Sequence, residues 1–163
     1  GFMDTQNTSS APAAAPQGME RRMVLRLLSQ WREWSGDDQY PSFTSVDPSQ
    51  IAEIWDYCFV LDIVGHEDNP VVRTVGTELQ NYLPETVRDR ALSDVPAGSL
   101  IEHAASYYRE IIDRGVPISR GGEFVKYDGM KVLYRSIIMP MSDDGINVSG
   151  LLGAANCREV PNG

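Results

Sequence analysis

Apolar runs and short polar turns alternate in the C-terminal part of the chain, which is the pattern of an antiparallel sheet. Two apolar runs, 132–141 and 146–155, carry Val, Ile, Leu and Met at strand-like density around the turn Ser142-Asp143-Asp144-Gly145. The segment before them, 117–127, ends at Asp128-Gly129, a strong hairpin signal. The pattern therefore predicts three successive antiparallel strands.

The middle of the chain predicts a second strand pair. Apolar segments at 57–64 and 71–76 flank the polar turn GHEDNP. After them, 77–83 and 89–95 predict short helical turns, because prolines bound both segments.

A longer helix is predicted at 98–114, just before the three strands. Its apolar stripe at helical spacing consists of Leu100, Ala104, Tyr107 and Ile111. The element order is then two strands, short helical pieces, one longer helix and three strands, which predicts an α+β fold.

An amphipathic helix is predicted at 19–34, near the start of the chain. Its apolar positions form one stripe that ends at Ser35-Gly36: Met23, Val24, Leu27, Leu28, Trp31 and Trp34. Such a stripe is much apolar surface for a terminal helix, which favours a dimer interface through Met23, Leu27, Trp31 and Trp34. The alternative is that the helix covers the core of its own domain.

This order of elements resembles a PAS domain, and in its details the stand-alone alphaproteobacterial PAS subgroup. The resemblance covers about 19–158 and is carried by 55–62 (WDYCFVLD), 72–79 (VRTVGTEL) and 134–145 (YRSIIMPMSDDG). It implies a five-stranded antiparallel sheet with helices on one face, where they enclose a cavity. It also implies a helix outside the sheet that helps to form a homodimer.

Composition divides the chain into four parts. Residues 1–18 are predicted to be a disordered tail, because they are small, polar and proline-containing, and Gly1-Phe2 before Met3 is interpreted as a cloning remnant. The amphipathic helix occupies 19–36, the PAS-like domain 37–158 and a C-terminal tail 159–163. Within the domain, Asp47-Pro48 is expected to begin a short helix with Asp47 as its N-cap.

Net charge and cysteine content restrict the partners. A net charge of -9 without a basic cluster argues against nucleic-acid binding. No apolar segment approaches membrane-spanning length, so membrane insertion is not expected. The two cysteines lack metal-like spacing, and a cytoplasmic location is predicted.

His103 is the residue most worth testing for chemistry. The resemblance implies a haem alternative, since haem-binding PAS sensors use a histidine on the corresponding helix, followed at six residues by an arginine, here Arg109. The other hypotheses are a hydrogen bond to a small ligand and a purely structural role. We predict a ligand-binding set on this helix and the facing strand: His103, Tyr107, Tyr108, Ile111 and Tyr134.

Three other motifs are expected to carry no chemistry. Asn156-Cys157-Arg158 is like the cysteine tripeptide of flavin-binding PAS relatives, but it is predicted to follow the final strand, which argues against flavin. Cys58 is expected to be buried and inert. His66 with Glu67 and Asp68 is expected to be a solvated turn rather than a metal site.

The sequence contains no nucleophile elbow, phosphate loop or paired zinc motif, so an enzyme is not predicted. The prediction is a non-catalytic PAS sensory or interaction module without an obligatory cofactor, which binds a small ligand or an unknown signalling protein. Few residues are expected after the last strand, so the signal is expected to leave through a dimer or partner contact. The alternatives are a haem-based gas or redox sensor using His103 and a ligand-free interaction scaffold.

Overall fold

The computed structural model describes the backbone of residues 17–161 and the side chains of residues 21–161. Within this range one antiparallel sheet contains β1 (Cys58–Asp62), β2 (Val71–Val75), β3 (Ile118–Val125), β4 (Lys131–Met141) and β5 (Gly150–Val160). The strand order is β2-β1-β5-β4-β3, which places the last strand at the centre. The predicted five-stranded antiparallel sheet is confirmed.

Helices pack on both faces of this sheet. They are α1 (Gln17–Ser35), α2 (Ala52–Trp55), α3 (Thr77–Gln80), α4 (Leu100–Ala104) and α5 (Tyr108–Arg114). Alternation along β4 separates two hydrophobic clusters: Ile138 faces α3, α4 and α5, whereas Ile137 and Met139 face α1 and α2. We call these the inner face and the outer face.

The apolar stripe of α1 explains why this helix lies on the outer face. Leu27 is fully buried there, and the indole Nε1 of Trp31 donates to the Pro140 carbonyl at 2.9 Å. The helix ends before Gly36, whose φ of +56° is the left-handed conformation that glycine adopts without strain. The structure thus confirms an amphipathic helix in this part of the chain.

The predicted long helix at 98–114 is wrong in one respect, because the segment is broken into α4 and α5. At the break, Ser106 donates both its backbone N–H and its hydroxyl to the His103 carbonyl. A serine that bonds the backbone in this way competes with the helical pattern. The following Tyr107 turns its side chain into the inner face, where it is buried.

The last strand was also predicted with the wrong bounds. The turn after β4 extends to Ser149, because the Asp144 carboxylate accepts hydrogen bonds from the backbone N–H groups of Ile146 and Asn147. β5 then pairs with β4 as far as Val160 opposite Lys131. The tripeptide 156–158 therefore lies inside β5, and the predicted tail at 159–163 begins with two strand residues.

The remaining local predictions concern turns and short helices. Gly129, with φ +90°, closes the hairpin between β3 and β4 as predicted. Asp47 caps a short 3-10 helix at Pro48–Ile51 and accepts the N–H of Ser49, also as predicted. The helical turns predicted at 77–83 and 89–95 are shorter, as α3 and a 3-10 turn at Leu92–Asp94.

The predicted tail at 1–18 lies outside the described residues, except for residues 17 and 18, whose backbone belongs to α1. In the part of the chain that is described, no helix has the length and hydropathy needed to cross a bilayer.

Candidate functional site

A buried polar network joins the helix break to the sheet on the inner face. The Tyr107 hydroxyl lies 2.8 Å from Ser136 Oγ on β4, and Ser136 donates to the Ala104 carbonyl at 3.1 Å. The same tyrosine reaches the Ile118 carbonyl on β3 at 3.3 Å. Burial raises the pKa of Tyr107, so its hydroxyl stays protonated and available as a donor. We call this the Tyr107–Ser136 network.

An ion pair between α5 and β3 covers the network where it approaches solvent. Arg120 pairs with Glu110 through two hydrogen bonds of 2.7 Å, and its guanidinium lies 5.2 Å from the centre of the Tyr107 ring. The pairing lowers the pKa of Glu110 and keeps this carboxylate charged. Side chains from α5 and β3 therefore close over the buried hydroxyl.

His103 lies at the rim of the inner face rather than at its centre. Its ring stacks on Phe124 with the centroids 4.3 Å apart and the planes 8° apart. Its Nε2 lies 3.3 Å from a carboxylate oxygen of Glu102, and Tyr134 approaches from the side. One face of the imidazole is thus occupied by another side chain.

The five predicted ligand-binding residues have three different environments. Ile111, Tyr107 and Tyr134 belong to the inner hydrophobic cluster, and Ile111 is fully buried. Tyr108 is half-buried at the surface and donates to the Asp68 carbonyl at 2.9 Å, while His103 lies at the rim. They do not line one common described cavity, and their role in ligand binding stays a prediction.

Sequence reasoning did not find a small cleft at one end of the inner face. This cleft measures about 170 Å³, and its walls include Tyr57, Leu79, Tyr82, Leu100 and Cys157. Cys157 was missed because β5 was predicted to end before it. A longer β5 would have placed Cys157 on the same face as Ala155, since alternate strand residues share a face.

The residues predicted for a dimer interface all lie on α1. Met23, Leu27 and Trp31 are buried against the sheet of their own chain. Trp34 is half-buried, and its Nε1 donates to the Gln50 side chain at 2.8 Å. The stripe therefore covers the chain's own core in this structure.

The residues around His103 do not fit a haem. Phe124 occupies a face of the imidazole, and the interior behind it is filled by side chains. Phe59 packs over Gly153, where even a Cβ would collide with its ring. Arg109, the second residue of the haem hypothesis, pairs with Asp68 at the surface.

The flavin hypothesis fails for a related reason. Cys157 lies on the central strand β5 beside the 170 Å³ cleft, not on a helix in the middle of the domain. Residues 21–161 contain no group of three or more His, Cys, Asp or Glu side chains placed to hold a metal ion.

The family model described as PAS domain matches residues 19–156, so the chain belongs to the PAS domain family. As a class, PAS domains are sensory modules that bind small ligands or mediate interactions. The family match does not assign the chain to the alphaproteobacterial subgroup, which stays a prediction. No curated protein matches the sequence.

Solved structures with the same fold include a VqmA dimer of Vibrio cholerae in the absence of its target DNA, with 13% identity and a TM-score of 0.51. That match covers 71% of this chain and 52% of VqmA, so this chain spans about half of that protein. A light-oxygen-voltage domain studied with a flavin analogue has 16% identity and a TM-score of 0.49, covering 73% of this chain and 86% of its own. A PAS domain from Colwellia psychrerythraea has 15% identity and a TM-score of 0.46, covering 69% and 95%. An identity of 13% to VqmA shows the fold alone.

Proposed function

We propose that this chain is a non-catalytic sensory or interaction module. It binds a small ligand at the inner face, or a protein partner, and signals through dimer or partner contacts. The observation that carries the proposal is the Tyr107–Ser136 network, which ties the break between α4 and α5 to β4 by buried hydrogen bonds.

The network offers a physical route from the inner face to the outer face. Ser136 on β4 faces inward, whereas the next residue, Ile137, belongs to the outer cluster together with Leu27 of α1. A shift of α4 or α5 therefore moves a strand against which α1 packs. Such packed elements respond in discrete rearrangements rather than continuous deformation.

The proposed mechanism is a population shift. A ligand that binds at the inner face near the helix break favours one packing of α4 and α5 over another. The strand passes this change to α1. Since Met23, Leu27 and Trp31 already pack on their own sheet, the dimer or partner contact that we propose uses the exposed side of α1.

A ligand-free interaction scaffold is the second candidate. The packing of Phe59 over Gly153 favours it, because the middle of the inner face is filled by the chain's own side chains. In that case the signal is a change of partner or oligomer, without a small molecule.

An absorption spectrum and native mass spectrometry of the same freshly purified sample separate these candidates. We expect no haem band, together with either an added mass that matches a metabolite or an unliganded dimer. An added metabolite supports the sensor, and a dimer without added mass supports the scaffold. A haem band would contradict the proposal, and so would a monomer that binds no metabolite and no partner.

A second experiment tests the route itself. Hydrogen exchange of α1 is compared in Tyr107→Phe and in Tyr108→Phe, which removes a hydroxyl that donates to a surface carbonyl. We expect faster exchange in α1 only for Tyr107→Phe. Equal exchange in both variants would remove the network from the mechanism.

A further inference from the structure

A groove of about 520 Å³ lies on the outer side of the sheet, between α1 and α2. Its walls are mainly apolar and come from Met23 and Leu25 of α1, Ile54 of α2 and the following Tyr57. Leu25 is 58% exposed, while Met23 and Ile54 are buried. A single exposed leucine is ordinary at a protein surface. The polar groups that line the same groove are therefore more informative about a ligand.

Two arginines lie at the rim of the groove, and they differ in their ion pairing. Arg26 pairs with Glu53 and also donates to the Gln50 carbonyl, so its charge is already engaged. Arg22, one turn earlier on α1, is exposed and forms no ion pair with any residue that the structure describes. In a protein with net charge -9, such a cation gives the groove a local preference for anions.

A polar side chain of β5 also lines the groove. Asn156 lines the groove, is only 8% exposed, and uses its Oδ1 to accept the Cys157 N–H.

A cation and a side-chain amide beside apolar walls are groups that a carboxylate pairs with. We propose that the groove between α1 and α2 is a second ligand-binding site for a small amphipathic carboxylate, distinct from the inner face. The carboxylate contacts Arg22 and the Asn156 amide, and the apolar body lies against Leu25, Met23 and Ile54. This inference goes beyond the proposed function.

The size of the groove favours a small molecule over a partner helix. Its volume lies within the range of small-ligand pockets, and a few polar groups converge on one part of an apolar surface. A docked helix would instead need a row of apolar contacts along α1, but the positions around Leu25 on that side are arginines.

The groove is also placed to affect the inner face. Tyr57 and Asn156 line both the groove and the 170 Å³ cleft beside Cys157. The Tyr57 carbonyl accepts the Ala155 N–H at 3.0 Å, so Tyr57 and Asn156 lie where β1 joins the central strand β5. A carboxylate in the groove therefore contacts side chains that also border the inner cleft.

Isothermal titration calorimetry with octanoate, and with octan-1-ol as its uncharged counterpart, tests the site in the full chain. For ten non-hydrogen atoms at ordinary ligand efficiency, we expect octanoate to bind with a Kd of about 1 mM or tighter. Octan-1-ol should bind about fivefold more weakly, since it lacks the charge that Arg22 pairs with.

Arg22→Gln and its matched control, Arg32→Gln, locate the site. Both residues are exposed on α1, and Arg32 lies about 15 Å further along the helix. We expect about fivefold weaker octanoate binding for Arg22→Gln and no change for Arg32→Gln. Leu25→Asn should also weaken binding, since it removes part of the apolar wall.

Three results would overturn the proposal. The first is that octanoate does not bind. The second is that Arg22→Gln and Arg32→Gln weaken octanoate binding equally. The third is that octanoate binds Arg22→Gln and Leu25→Asn as tightly as the unmodified chain. The second result would mean that octanoate is attracted non-specifically by positive charge. The third would mean that it binds elsewhere on the protein.

Discussion

Tyr107 and Tyr108 are neighbours in the chain, but their hydroxyl groups have opposite surroundings. Tyr107 is buried and bonds Ser136, whereas Tyr108 donates to a carbonyl at the surface. Replacing Tyr107 with Phe removes a buried hydrogen bond, which we expect to lower the free energy of unfolding by about 1 to 2 kcal/mol. Tyr108→Phe should change it by less than about 0.5 kcal/mol. Urea denaturation measures both, and a loss for Tyr107→Phe as small as the one expected for Tyr108→Phe would show that the network adds no stability.

The two cysteines allow a second test at the residue scale. Cys58 is fully buried, its thiol donates to the Ile54 carbonyl, and burial raises its pKa to about 12. Cys157 is half-buried beside the inner cleft. Because only the thiolate reacts readily, iodoacetamide at neutral pH should label Cys157 in the folded protein and leave Cys58 unmodified. Mass spectrometry of the digested protein measures the labelling of each cysteine. Labelling of Cys58 before Cys157 would mean that β1 opens.

At the residue scale, the sequence predicts inward-facing positions better than it predicts their chemistry. Helical spacing correctly placed Tyr107 and Ile111 on the inner face. It could not place His103, because this residue lies at the edge of the apolar stripe and its position depends on Phe124 of β3. The stacking of His103 on Phe124 joins residues from α4 and β3, a tertiary contact that no local pattern contains.

At the scale of elements, two of the leucines of α1, Leu25 and Leu27, differ in burial and so test how this helix packs. Leu27 is fully buried on the outer face, while Leu25 is 58% exposed. We expect Leu27→Ala to lower the free energy of unfolding by about 2 to 5 kcal/mol, since it removes apolar contacts and leaves a cavity. Leu25→Ala should change it by about 0.5 kcal/mol or less. Thermal denaturation distinguishes the two variants. A small loss for Leu27→Ala would mean that α1 does not pack on its own sheet.

The turn between β4 and β5 depends on a single carboxylate. Asp144 accepts hydrogen bonds from the N–H groups of Ile146 and Asn147 and from Ser142 Oγ, and these bonds lower its pKa well below the usual range. Because the folded-state pKa is the lower one, the stabilisation is present above the unfolded pKa of about 3.9. It is lost as pH falls further, towards the folded-state value.

Asp144→Asn should therefore flatten the dependence of stability on pH below about pH 4, because Asn carries no titrating group. Its exposed neighbour Asp143, which has no such set of bonds, provides the matched control Asp143→Asn. Urea midpoints between pH 2.5 and 6 measure both. A curve for Asp144→Asn that stays parallel to that of the unmodified chain would contradict this role.

Turn residues and apolar runs predicted the existence of every strand, but they located the bounds less well. Gly129 and the Asp-rich turn marked both C-terminal hairpins. The start of β5 was misplaced because Ile146 is apolar, although it is 72% exposed in a turn that Asp144 holds. The end was misplaced because Asn156 and Arg158 are polar, although the central strand buries both. The pairing with β4 decided these bounds, and local composition does not contain it.

At the scale of the whole molecule, one sheet separates two hydrophobic cores. The order β2-β1-β5-β4-β3 is not a consequence of hydrophobic periodicity. The resemblance to the PAS family predicted one five-stranded antiparallel sheet, and the structure supplies its strand order. Which core has room for a ligand was not predictable in this way, because it depends on packing such as that of Phe59 over Gly153.

The shared sheet predicts that the two cores unfold together. All three tryptophans, Trp31, Trp34 and Trp55, pack in or against the outer cluster, so tryptophan fluorescence reports the outer core. The contacts that Tyr107→Phe removes belong to the inner core. We expect it to lower the thermal midpoint by about 3 °C per kcal/mol lost, and equally by fluorescence and by far-UV circular dichroism.

Leu27→Ala, on the outer side, is the matched perturbation and should likewise shift both signals together. Suppose instead that Tyr107→Phe lowers the midpoint by circular dichroism and leaves the fluorescence midpoint in place. The inner and outer cores would then be separate cooperative units, and a change at α4 and α5 would have no energetic route through β4 to α1. The dimer or partner contact that we propose on α1 would in that case have to be controlled independently of the inner face.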